Sequence, residues 1–202
     1  MVCCVGLAEA MKPLCIDLYC GLGGWAEGFL SEGYDVVGFD IERRPYPGQL
    51  VLQDVLTLHG RQFSDAAVIV ASPPCQEYAK WGMPMFYPAP PIPNPACWDA
   101  AERIAREANR PIVIENVIGA QVHRGRARWH SGSYYFWGDV PALMPICAPR
   151  KDFGCGRDPE GRRDIKGGRR FSSRSPMRKL NSAIMAKIPF PLAQHIARVF
   201  KP

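Results

Sequence analysis

The segment Pro13-Leu14-Cys15-Ile16-Asp17-Leu18-Tyr19-Cys20-Gly21-Leu22-Gly23-Gly24-Trp25 runs from an apolar stretch through three glycines into a helical pattern. Residues 13–19 read as a parallel strand buried on both faces, with one acid inside it. Trp25 to Glu32 continues as a helix and stops at Gly33, a C-cap. Strand, glycine turn and helix in that order open a doubly wound α/β sheet, and there the turn approaches a bound ligand. Glycines let the ligand come close to the backbone, and the helix N-terminus offers open N–H groups. The turn departs from G-x-G-x-x-G and carries no lysine for a phosphate.

Downstream, Tyr34 to Phe39 is a second strand, and it ends in Asp40. An acid there, about twenty residues beyond the glycine turn, accepts hydrogen bonds from both hydroxyls of a ribose. Val51 to Val55 reads as a third short strand, with Asp54 placed to read an adenine amino group. Ala66 to Ala71 is a fully buried strand. Two prolines stop it, in Ser72-Pro73-Pro74-Cys75-Gln76. Cys75 therefore stands on a loop at a strand's carboxyl end, where open α/β sheets bind ligands. It is a candidate nucleophile, or else a small apolar residue after a turn.

Glu77 to Pro95 is a long proline-rich loop with Trp81, Met83, Met85, Phe86 and Tyr87, and loops of that length are usually functional. Ala96 to Asn109 is an amphipathic helix with Trp98, Ala101, Ile104 and Ala108 on one face. Pro111 to Ile114 is another buried strand, ending in Glu115-Asn116-Val117. Glu115 then shares an edge with Cys75, as a chemical group or as the partner of an arginine. Gly125 to His130 is a small basic loop, Tyr134 to Gly138 an aromatic strand, and Leu192 to Phe200 an amphipathic helix.

The chain has 202 residues, enough for one domain with a real core. We expect a catalytic domain over 1–145, a short basic recognition segment over 146–180, and a helix over 181–202 returning to the first part. No apolar run reaches transmembrane length and no signal-peptide pattern opens the chain, so a soluble cytoplasmic protein is expected. Its eight cysteines include no C-x-x-C pair, which argues for reduced thiols and against a zinc site. Residues 150–179 hold eleven Lys/Arg against four acids, so of the total charge of +6 the rest of the chain carries −1. That localised excess is the footprint of a polyanion-binding loop.

One edge thus gathers a ribose-reading acid, a glycine turn, a thiol and a glutamate. Carbon 5 of cytosine is not nucleophilic by itself. A thiolate adding to carbon 6 makes it so. The charge left on the ring is neutralised when a carboxylic acid protonates nitrogen 3, which needs a glutamate of raised pKa. Cys75 and Glu115 supply those two parts, and a methyl sulfonium at the glycine turn would be the electrophile.

These residues resemble the cytosine carbon-5 DNA methyltransferases. The resemblance rests on Asp17-Leu18-Tyr19-Cys20-Gly21-Leu22-Gly23-Gly24, Asp40, Asp54, Pro73-Pro74-Cys75-Gln76 and Glu115-Asn116-Val117, in the family's order over roughly residues 13–138. It implies a Rossmann-like sheet binding S-adenosylmethionine and releasing S-adenosylhomocysteine. On that resemblance Tyr19, Gly21, Gly23 and Gly24 border the cofactor. Asp40, with Ile41 beside it, holds the ribose; Asp54, with Val55 beside it, reads the adenine; Pro74 lines the pocket. Cys75 is the nucleophile, Glu115 holds and protonates the cytosine, and residues 77–95 form a loop that closes on a flipped base.

The chain departs from the family twice. The arginines of the family's Gln-x-Arg-x-Arg are matched only by Arg126 and Arg128, several residues early, with Ser131 and Ser133 in strict register; Ala186 stands where a late asparagine is usual. The expected partner is double-stranded DNA, bound by a monomer in a bacterial or phage-infected cell, as part of DNA methylation or restriction-modification. Its reduced recognition region leaves specificity short or supplied by a protein partner. The alternatives are the same chemistry on tRNA, or a non-catalytic nucleic-acid-binding protein on the same fold.

Overall fold

A computed structural model describes residues 11–145, 183, 184 and 186–202. The basic segment over 146–180 lies outside the described residues. Seven strands form one sheet in the order β3-β2-β1-β4-β5-β7-β6. They are β1 (Leu14–Leu18), β2 (Asp35–Asp40), β3 (Gln49–Leu52), β4 (Ala66–Ala71), β5 (Ile112–Asn116), β6 (Trp129–Ser131) and β7 (Tyr134–Gly138). The pairs from β3 through β5 are parallel, whereas β7 runs antiparallel to both β5 and β6. The chain winds outward from β1 in one direction and from β4 in the other. The crevice at the carboxyl ends of that adjacent pair is where such sheets bind ligands.

Helices cover both faces. On one lie α1 (Gly24–Ser31) and α4 (Phe190–Val199), packed over Cys15, Val36, Val68, Val70 and Val113. The two helices meet through a glycine. A Cβ on Gly28 would stand 2.5 Å from the Ala193 Cβ, so only glycine allows this approach. Lys187 Nζ donates to Glu27 Oε1 at 2.5 Å beside that contact. On the other face lies α3 (Ala96–Ala108), whose Trp98, Ala101, Ile104 and Ala108 are all buried, as the 3.6-residue period requires. Among the described residues, no helix is long and apolar enough to cross a membrane.

Three local expectations are corrected. The third strand lies at Gln49–Leu52 rather than 51–55, because Asp54 Oδ1 accepts from the Leu56 N–H at 2.9 Å and turns the chain into a 3-10 helix at Val55–Thr57. Segment 77–95 is not loop throughout: Gln76–Trp81 is a helix, α2, ahead of the first proline at Pro84. The basic loop at 125–130 runs into an edge strand, since Trp129–Ser131 pairs with β7 across a turn where Gly132 takes φ +57°.

Candidate active site

At the first turn Tyr19 (φ 59°), Gly21 (φ 52°) and Gly23 (φ 72°) all adopt the left-handed conformation. Glycine takes it without strain; Tyr19 does not. The Tyr19 hydroxyl donates to the Cys97 carbonyl at 2.8 Å, tying the turn to the start of α3. Asp40, at the end of β2, aims its carboxylate at the same turn. Its Oδ2 accepts from the Gly21 N–H at 3.0 Å and its Oδ1 from the Glu42 N–H at 2.9 Å. Each oxygen keeps a lone pair for a further donor. Gly24 opens α1, and Ile41, beside Asp40, is 73% exposed. Asp54 caps the 3-10 turn, and Val55 is buried in the α3-side core.

At the second turn the two motifs meet. Cys75 is half-buried and caps α2, its carbonyl accepting from the Ala79 N–H at 2.8 Å. Asn116 is fully buried, and its Nδ2 donates to the Pro73 carbonyl at 3.0 Å. Its Oδ1 accepts from the Val117 N–H at 2.9 Å, so the amide is fixed at both ends. One residue away Glu115 is buried, paired across the ladder with Phe136 on the α1 face. Burial and the nearby Glu115 carboxyl push the Tyr134 hydroxyl up to about 12. Ser72 closes the other side: its N–H donates to the Leu18 carbonyl at 3.1 Å, and its Oγ accepts from Trp25 Nε1 at 3.0 Å. Pro74 lines a cavity of about 310 Å³ together with Gln76, Tyr78, Cys97 and Trp98.

A buried carboxyl lies beneath the first turn. Asp17 is fully buried in β1, and burial pushes its pKa up to about 8, with Asp40 raising it further and a Tyr46 hydrogen bond opposing the rise. The Tyr46 hydroxyl donates to Asp17 Oδ2 at 3.0 Å, while Oδ1 meets no donor among the described residues. Burial drives the Tyr46 hydroxyl far above its ordinary value, and the Cys20 thiol rises for the same reason.

The sequence-read residues thus gather on the carboxyl edge, with two exceptions. Arg126 and Arg128 are exposed, and β7 lies between them and β5. The Arg128 N–H donates to the Phe136 carbonyl at 2.9 Å, which seats it at the start of β6. Among the described residues neither arginine forms an ion pair. Sequence reasoning missed Tyr46, Trp25 and Cys97, which support the site from outside the motifs, and gave Asn116 no role of its own. Only Asn116 carried a signal, as a buried amide directly after the strand-ending glutamate.

No family model and no curated protein matches the chain. Solved structures do. A substituted form of Spodoptera frugiperda DNMT2 is 20% identical at a TM-score of 0.40, over 56% of this chain and 38% of that one. S. pombe Dnmt2 methyltransferase is 18% identical at 0.38, over 56% and 37%. Entamoeba histolytica methyltransferase EhMeth is 16% identical at 0.46, over 70% and 58%. The chain spans less than two thirds of the length of each. Its own strand order, with β7 alone reversed and a glycine turn after β1, makes the fold a Rossmann-like mixed α/β sheet.

Proposed function

We propose that the chain transfers a methyl group from S-adenosylmethionine to carbon 5 of cytosine in double-stranded DNA. The observation that carries this reading is the 3.0 Å bond from Asn116 Nδ2 to the Pro73 carbonyl, which holds Pro-Pro-Cys and Glu-Asn-Val against each other on one edge. A thiol and a buried carboxyl at the ends of neighbouring strands on one sheet edge suit covalent activation of a pyrimidine.

The first turn fits the cofactor. Gly21 leaves room at the backbone, where a Cβ would meet only the Tyr19 carbonyl oxygen at 4.0 Å, and the Asp40 carboxylate keeps lone pairs for a ribose. When bound there, S-adenosylmethionine supplies an electrophilic methyl group. Ile41 stands exposed beside Asp40 to cover an adenine, and Pro74 would border the cofactor from the end of β4. Asp54 is the second acid in reach of that ring.

Cys75 adds its sulfur to carbon 6 of the cytosine, and the electrons of the 5,6 double bond move toward the ring. Glu115 gives its proton to nitrogen 3, and carbon 5 becomes nucleophilic. After transfer a base takes the carbon 5 proton, the sulfur–carbon bond breaks, the 5,6 double bond is restored, and nitrogen 3 returns its proton to Glu115. Glu115 is only 4% exposed, so a cytosine reaches it only by leaving the base stack.

The test is labelled methyl transfer to DNA and to total RNA, followed by nucleoside analysis. We expect label in 5-methylcytosine from DNA, and none with Cys75→Ala while that variant still binds S-adenosylmethionine. Label in RNA alone would move the substrate to RNA. Turnover by Cys75→Ala would overturn the covalent mechanism.

A further inference from the structure

We propose that the outer β6–β7 hairpin is a nucleic-acid platform, on which His130 and Tyr135 stack a base neighbouring the one delivered to Cys75. The proposal rests on the functional reading above. The two rings lie 4.7 Å apart and 12° from parallel. Every other ring pair among the described residues is T-shaped or tilted. Tyr135 is half-buried against the α3-side core, and His130 is exposed. One end of the stack is therefore anchored and the other presents a flat π surface to solvent. Exposed flat rings of this kind accept bases without regard to sequence.

The position is what gives the platform a role. Tyr135 stands directly opposite Asn116 in the β5–β7 ladder, and Asn116 holds the Pro73 carbonyl of the Cys75 loop. The stack is thus one strand away from the pair of motifs that would perform the chemistry.

Charge selects the occupant. No Asp or Glu occurs between Val117 and Gly138, whereas three arginines do. Arg124 is neutralised by Asp99 at 2.6 Å. Arg126 and Arg128 are exposed and form no ion pair among the described residues. Ala127 packs against the α3-side core and Trp129 against the α1-side core, while Arg126, Arg128 and His130 between and beside them are all exposed. An acidic peptide would meet the arginines and leave the rings without a flat partner. A nucleotide strand satisfies both, with phosphates on the arginines and a base on the imidazole.

The experiment uses the full chain and single-stranded oligonucleotides of one sequence, deoxy and ribo, carrying a 2-aminopurine probe. Binding by the unaltered protein should quench the probe. His130→Ala should weaken binding by roughly tenfold and remove the quench, within the range of one base–aromatic stack. His130→Phe should keep both. Arg128→Gln should lower the salt dependence by about one unit of slope. His130 is exposed, so its replacement should leave the melting temperature unchanged. Tighter binding of the deoxy or of the ribo strand supports the platform and names its source. Unchanged quenching in His130→Ala, an equal loss in His130→Phe, or no binding of either strand would overturn it. Because binding is read without turnover, absent methyl transfer alongside weakened binding by His130→Ala would sink the functional reading and leave the platform standing.

Discussion

At the β1–β2 end of the carboxyl edge, backbone and rings nearly touch. A Cβ on Gly23 would stand 2.4 Å from Pro47 Cδ, and one on Gly38 would stand 2.5 Å from Tyr46 Cζ and 2.8 Å from Cys20 Sγ. At the β4–β5 end the parts are joined by side-chain hydrogen bonds, Asn116 to Pro73 and Trp25 to Ser72. That end then runs into a stretch whose Met85, Phe86 and Ile92 are 93%, 77% and 83% exposed. The first end combines close glycine-to-ring contacts with side-chain hydrogen bonds from Asp40 and Tyr46, whereas the second is held by two bonds under an open loop. A cofactor needs a preformed cradle, whereas a base-flipping enzyme needs a thiol that is held firmly beside a segment that moves.

The largest effect should come from breaking the second end alone. Asn116→Ala removes the donor to the Pro73 carbonyl and the acceptor of the Val117 N–H, both buried. Misplacing a reacting group by an ångström costs on the order of 100-fold in rate. Methyl transfer should therefore fall by about two orders of magnitude, while calorimetric affinity for S-adenosylmethionine stays within about twofold. An equal loss in both would show that the two ends are one unit.

The next effect belongs to the first end and is a pH dependence. Asp17 is held protonated in the fold, with a pKa of about 8 against the ordinary value of 3.8. Below pH 4 it is protonated in both states and exacts nothing. As pH rises from 4 to 8 the unfolded chain releases its proton and the folded chain does not. Stability is therefore lost across that window, by a few kcal/mol. Asp17→Asn, which keeps an acceptor for Tyr46, should flatten the curve and be the more stable protein at pH 8. Urea denaturation at pH 5 and pH 8 reads this directly. Parallel slopes for the two proteins would mean that Asp17 is ionised in the fold.

The two ends also differed in legibility. Glycines, the strand-ending Asp40, Pro73-Pro74-Cys75 and Glu115 are local signals: each announces a turn, a stop or a misplaced polar group within a few residues. They located the sheet edge correctly. Tyr46 was invisible because nothing near it in sequence says that it will reach Asp17, 29 residues upstream. Arg126 and Arg128 were harder to place for a related reason. Their distance from Glu115 depends on β7 entering the sheet between β5 and β6, and the short edge strand Trp129–Ser131 hid inside a basic loop. Asp54 looked like a strand end because β-formers precede it. The competing local bond from its carboxylate to the Leu56 N–H decided the turn.

The smallest effect tests whether the first end rests on glycine contacts only. Tyr46→Phe deletes the hydroxyl that donates to Asp17 Oδ2 and leaves the ring against Gly38 in place. A buried acceptor that loses its donor costs about 1–2 kcal/mol. The same bond also holds the Asp17 pKa down, so its loss should carry the pH-dependent decline in stability above pH 8. In an Asp17→Asn background that second component should vanish, because no carboxyl is left to titrate, while the loss of the hydrogen bond persists. The double-mutant cycle therefore separates the two contributions. If Tyr46→Phe changes neither the denaturation midpoint nor the pH profile, the glycine contacts alone hold this end.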